Sequence, residues 1–277
     1  MRGLAVAVLA LLGTMQAASA DELSNGGGRV TRLRGLVTVE RAGASEPGRK
    51  GYVLQNGDTI KTGSDGVVQW WMVDDSLFLL PSGSSLHIDE YVPPAPKAGG
   101  GFGRSFFSLL KGAMRSVTGL VAKGDPSAYR VATPVATMGV RGTDFKLVYC
   151  NNDCKLRTNA LRKSSLHGFD LLLPSGPGRL LHTASANDPP VANGTYVKME
   201  KLTGFLSNDK GSVDITAGVG SGCGFAADAN TAPVALAKCP PIFERFGDEL
   251  EWEFDDNSIQ QYRDQRRPEK EPPASPS

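Results

Sequence analysis

Glycine and proline interrupt this chain so often that long helices have little room to form. The 277 residues include 33 glycines and 18 prolines, and the apolar runs between them are roughly strand length. Val30, Leu33, Val37 and Val39 lie around Gly35 as a first strand-like stretch. Asn56-Gly57-Asp58 is a hairpin signal, and Thr59 to Thr62 alternates beyond it into a second turn at Gly63-Ser64-Asp65-Gly66. A β-branched and aromatic run from Val67 to Val73 stops at Asp74-Asp75-Ser76 and resumes from Leu77 to Leu80. Pro81 to Ser85 breaks it again before Leu86-His87-Ile88. Turns recur about every eight to twelve residues, the spacing of an all-β meander. The expectation is a β-sandwich or a short β-solenoid built from short strands.

The rest of the chain continues this pattern with two departures. Residues 93–104, rich in Pro and Gly, are expected as a loop, and 155–193 as a polar hairpin insertion carrying Leu171-Leu172-Leu173 and Leu180-Leu181. Phe106, Phe107, Leu109 and Leu110 fit either a helical turn or a buried strand, whereas Ala113 to Val121 reads as strand with bends at Gly112 and Gly119. Tyr129 to Pro134 and Phe145 to Tyr149 alternate, as do shorter stretches at 195–199, 204–206 and 213–215. Leu250 to Phe254 alternates as a strand, yet Phe243, Phe246, Leu250 and Phe254 also form a helical stripe. The division expected is a flexible 21–28, a β domain over 29–222, a C-terminal extension over 223–265 and a disordered tail over 266–277.

Residues 1–20 read as a cleavable secretory leader: Arg2, an apolar run from Gly3 to Met15, and Ala17-Ala18-Ser19-Ala20 before the cut. That run falls short of the roughly 20 residues a spanning helix needs, so a soluble exported product without an integral membrane segment is expected. The expected compartment is the periplasm, with the extracellular space as the alternative. Cys150, Cys154, Cys223 and Cys239 then read as two disulfides. Three pairings exist, and the local one, Cys150 with Cys154 and Cys223 with Cys239, is the simplest. A formal charge of +1 offers no field for nucleic acid.

No catalytic constellation stands out, and no cofactor or metal site is expected. His87, His167 and His182 keep no zinc-like spacing with the cysteines. The glycine run from Gly218 to Gly224 lacks the Lys-Ser/Thr ending of a phosphate loop. Asp74-Asp75 and Asp255-Asp256 are adjacent, and neighbours in a strand face opposite ways. A hydrolase using Asp74, Asp75 and Glu90 is the weakest reading. Trp70-Trp71 carries more interest, because in a strand one ring faces the core and the other outward. An outward tryptophan would stack on a sugar or anchor a partner, and a sheet covered on both faces would bury both rings.

Thr133-Pro134-Val135-Ala136-Thr137-Met138-Gly139-Val140-Arg141-Gly142-Thr143-Asp144-Phe145 closely resembles the closing signature of FecR-type domains. Residues 56–63 with Val73-Asp74-Asp75-Ser76 resemble the same domain's first half, and Phe106 to Leu120 is similar to the middle of an exported single-domain subgroup. The resemblance implies a periplasmic all-β module for interaction or sensing. The expected leader stands where the best-known members carry a sigma-factor-controlling segment, so that role is not carried over. Gly139 and Gly142 are expected to shape a turn around Arg141 and Thr143, with Arg141 fastened to carbonyls or to a carboxylate such as Asp144. The function expected is a non-catalytic binding, scaffold or sensing module acting through an envelope protein partner. A module binding carbohydrate or peptidoglycan, with cell-wall glycan as its partner, is the alternative.

Overall fold

The computed structural model describes residues 26–95, 101–141, 144–154 and 191–265. The expected leader, part of the 93–104 loop, Gly142 and Thr143, nearly all of the hairpin insertion and the expected tail lie outside the described residues. The first part of the chain forms β1 (Gly26–Arg34), β2 (Val37–Arg41), β3 (Ala44–Pro47), β4 (Val53–Gln55), β5 (Thr59–Thr62), β6 (Val67–Met72), β7 (Leu77–Leu80), β8 (Ser85–Val92) and β9 (Arg104–Val117). After a short helix α1 (Leu120–Gly124) come β10 (Tyr129–Ala132), β11 (Thr137–Val140), β12 (Asp144–Cys150), β13 (Gly194–Lys201), β14 (Thr203–Asn208), β15 (Gly211–Thr216), β16 (Cys223–Ala226) and β17 (Val234–Ala235). Three helical pieces close the described chain: α2 (Ile242–Arg245), α3 (Gly247–Leu250) and α4 (Asp256–Gln265).

The expected all-β fold is what forms: the described residues make one hydrogen-bonded continuum of 17 strands that is not closed into a barrel. It is organised as two layers. The first runs β4-β1-β6-β7-β9-β12-β13-β16-β17. The second runs β3-β2-β5-β8-β9-β10-β11-β14-β15. The long strand β9 belongs to both, pairing with β8 and β10 through its first half and with β7 and β12 through its second. It changes layer at Gly112, whose φ of +78° suits a residue without a Cβ. The cluster from Phe106 to Leu110 is therefore strand, and Ala113 to Val121 is strand only as far as Val117. From there the chain turns at Gly119 into α1, with Leu120 N donating to Asp74 O at 2.6 Å.

Period-two alternation puts Val37 and Val39, Ile60 and Thr62, and Leu86 and Ile88 on inward faces. An aromatic chain crosses the core. Trp70 stacks on Phe78 at 5.0 Å, Phe78 meets Phe107 at 4.7 Å, Phe107 meets Tyr129 at 6.1 Å, and Tyr129 meets Phe145 at 6.3 Å. Each such side chain contributes about 1.5–3 kcal/mol by leaving water. Burial also pushes the Tyr129 hydroxyl far up, although it keeps a 2.8 Å hydrogen bond with Ser116 Oγ.

Asn56-Gly57-Asp58 is not a hairpin, because β4 lies in the first layer and β5 in the second. Long-range bonds hold this crossing. Asp58 is fully buried and accepts two hydrogen bonds from Arg41 at 2.7 and 2.8 Å, while the Asn56 amide brackets the backbone of Tyr91. The segment Leu250 to Phe254, open between helix and strand, ends α3 and continues without regular structure to α4. That final segment lies on the outer face of the first layer, which is why all six residues of β6 are buried.

Candidate functional site

Alternation along the first layer's strands fixes which side chains point outward, and their register then brings several cations into one line. Arg32 of β1 stands opposite Gln69 of β6, Gln69 opposite Leu79 of β7, and Leu79 opposite Arg115 of β9. Arg115 is opposite Lys146 of β12, and Lys146 opposite Lys198 of β13. The row thus crosses six strands and carries four cations. Directly opposed like charges destabilise a sheet unless something neutralises them.

Acids on three sides neutralise the row. Asp144 takes a two-pronged hydrogen bond from Arg115 at 3.1 and 2.8 Å, which holds the guanidinium's pKa up. Glu200 meets Lys146 and Lys198, each at 2.9 Å. Burial alone would push the Glu200 carboxyl up, yet these two lysines bring it below the usual carboxylate range. The third source is the C-terminal segment, Gly247-Asp248-Glu249-Leu250-Glu251-Trp252-Glu253-Phe254-Asp255-Asp256, where acids and aromatics are interleaved. Glu251 pairs with the Lys146 ammonium, whose side chain is only 5% exposed, and lies 3.8 Å from Arg115. Glu249 meets Arg34 at 3.3 Å and accepts from the backbone and hydroxyl of Ser82 at 2.9 and 2.8 Å.

The segment lies across the strands rather than pairing with them. Arg115 donates to Leu250 O at 3.2 Å, and Gln69 Nε2 donates to Trp252 O and Glu253 O at 3.2 and 2.8 Å. The Arg32 guanidinium lies 3.8 Å from the centre of the Trp252 ring, and Lys50 meets Asp255 at 3.4 Å. Asp255 also caps α4 through Ser258. That hydroxyl bond, with help from Lys50, draws the carboxyl below the usual range. Ile242, Phe243, Phe246 and Leu250 cover the apolar remainder of the face, including Leu79, Ala113, Val148 and Tyr196. Beside the segment opens a cleft of about 670 Å³ lined by Thr31, Arg32, Arg49, Lys50, Phe254 and Asp255 among others.

The residues singled out in the sequence fall elsewhere. Cys150 is bonded to Cys154 and Cys223 to Cys239, the local pairing, with Cα separations of 5.2 and 5.4 Å. Trp70 and Trp71 do face opposite ways, but neither ring reaches solvent: they are 0% and 1% exposed. Trp70 lies in the core, and Trp71 is covered by Tyr262 of α4 and donates to Asp75 at 3.0 Å. Neither Trp70 nor Trp71 is therefore exposed for a glycan to stack on. Gly139 sits within β11 rather than in a turn, and the tip of the Phe205 ring occupies the space its Cβ would need. Arg141 pairs with the exposed Asp214 at 3.7 Å, not with Asp144, which belongs to Arg115. Among the described residues no group of three or more His, Cys, Asp or Glu could hold a metal ion.

Sequence reading missed the cationic row, although its signal is present as single polar residues at alternate positions: Gln69 in VVQWWM, Arg115 in GAMRSV, Lys146 in DFKLVYC. No described helix is long and apolar enough to cross a membrane. The family model described as FecR protein matches residues 58–162. No curated protein and no solved structure matches the chain.

Proposed function

With residues 58–162 matching the FecR family, we propose that the chain is a non-catalytic regulatory or sensing module that acts through protein contacts at the bacterial cell envelope, in the periplasm. The family match carries this reading. Two disulfides support the compartment, because such bonds persist where thiols are not kept reduced. The leader-like residues 1–20 support export.

Cross-linking of the chain in intact envelopes, followed by capture, is expected to recover one specific protein partner. Fractionation is expected to place the processed chain in the periplasm, beginning at Asp21. Recovery of no specific partner, together with measurable turnover of an envelope substrate, would overturn the reading.

A further inference from the structure

The segment from Gly247 to Asp256 and the face beneath it have matched chemistry. Six of those ten residues are acidic and two are aromatic. The face opposes them with Arg32, Arg34, Arg115, Lys146 and, at its margin, Lys50. Past the helical turn of α3, much of the contact is generic to any acidic chain without regular structure: guanidinium and amide groups grip the main-chain carbonyls of Leu250, Trp252 and Glu253, and cations meet carboxylates. The pairs are mostly at the surface. Arg34 has a side chain 56% exposed, Lys50 58% and Glu251 58%. Exposed pairs of this kind individually contribute little and weaken in salt.

The fit is also incomplete. Gln69 is fully buried beneath the segment, and among the described residues its Oε1 has no hydrogen-bond partner although its Nε2 has two. A buried acceptor left without a hydrogen bond keeps its desolvation penalty and destabilises the arrangement. A different extended chain offering both an N–H and a C=O at this point would satisfy both ends of the amide.

We propose that the cationic row of the first layer is a docking face for an extended acidic segment bearing an aromatic residue, supplied by an envelope protein, and that residues 247–256 occupy it in cis until such a segment displaces them. This rests on the protein-contact reading above and specifies the partner's chemistry. The cis segment then sets a threshold, since a partner must outcompete a tethered copy of its own chemistry. The aromatic residue of the partner takes the place of Trp252 on Arg32, and its carboxylates take that of Glu251 between Arg115 and Lys146.

The test uses the full-length chain and a labelled peptide copying residues 247–256, read by fluorescence anisotropy. Weak binding to the wild-type chain is expected, with binding about ten-fold tighter to the Glu249→Ala/Glu251→Ala variant, the effect of losing one or two pairs that hold the cis segment. Binding should fall with salt and vanish for a peptide whose acids are replaced by Asn and Gln. A second measurement needs no variant: adding saturating peptide to the wild-type chain should accelerate amide exchange at residues 247–256 while β9 and β12 stay protected. Equal affinity for the two chains, no binding to either, or unchanged exchange would overturn the proposal. A dimer in which each copy's segment occupies the other's row would also overturn it, reassigning the face to self-association. A chain that captures an envelope protein yet ignores the peptide sinks the docking face and leaves the protein-contact reading intact.

Discussion

Asp74 and Asp75 stand side by side in the turn after β6, and their surroundings could hardly differ more. Asp75 turns outward to Arg263 at 2.7 Å. Asp74 is fully buried and accepts from the Ser76 backbone at 3.2 Å, the Ser76 hydroxyl at 2.9 Å, the Tyr91 hydroxyl at 3.2 Å and the Val121 backbone at 3.2 Å. It thereby ties the β6–β7 turn to β8 and to the start of α1. Burial pushes its carboxyl above the usual range, and the hydrogen bonds offset that only in part. A carboxyl raised in the folded state contributes its full stability below the unfolded value and loses it as pH rises through the folded one. The stability of the wild-type chain relative to Asp74→Asn should therefore shrink as pH rises through that window, as measured by urea unfolding at a series of pH values. Below that window the asparagine variant should cost about 1–3 kcal/mol, because its amide NH₂ faces groups that donate. The sequence showed two turn acids. Which of them faced inward depended on the strands that close over the turn.

At the scale of elements, the contact of β9 with β12 and the C-terminal segment depends on Arg115. Its guanidinium serves Asp144, which is 5% exposed, together with Leu250 O and Glu251. Removing only the cation leaves a buried carboxylate without its partner, which is far costlier than removing both. Arg115→Ala should destabilise the chain by about 3 kcal/mol, and Arg115→Met/Asp144→Leu should recover most of that loss, both read from chemical denaturation midpoints. A cost for the double variant as large as for the single one would show that the pair itself is net stabilising. The alternation around Arg115, Lys146 and Gln69 carries a signal that they share a face type, and sequence reading passed it over. It could not reveal that they stand in one row, because that depends on the pairing and register of β6, β7, β9 and β12. Of the two readings left open for the stretch from Phe243 to Phe254, the helical stripe holds for Phe243, Phe246 and Leu250, which pack as helical turns on an apolar face, whereas Phe254 lies past α3 without regular structure.

Across the whole molecule, the bond between Cys223 and Cys239 joins the end of the first layer to the stretch leading into α2, so it anchors the covering segment to the sheet. With a sequence separation of 16 it should contribute about 3 kcal/mol by restricting the unfolded chain, against about 2 kcal/mol for Cys150–Cys154 with a separation of 4. Cys223→Ser/Cys239→Ser should therefore lower the thermal midpoint more than Cys150→Ser/Cys154→Ser. It should also raise amide exchange through residues 242–250, an effect the other pair of changes should lack. The sequence by itself determined that the chain forms short strands with alternating faces, and that its middle resembles FecR domains, since these depend on residues close together along the chain, whereas the structure chose the local disulfide pairing among three possible ones. Tertiary structure alone decided that Trp71 is covered, that β9 serves both layers, and that four cations align beneath an acidic segment. The physical reason is that a period of two tells which face a side chain takes, whereas its neighbours across the sheet are set by register with strands far along the chain, as Thr137 of β11 stands opposite Ser207 of β14.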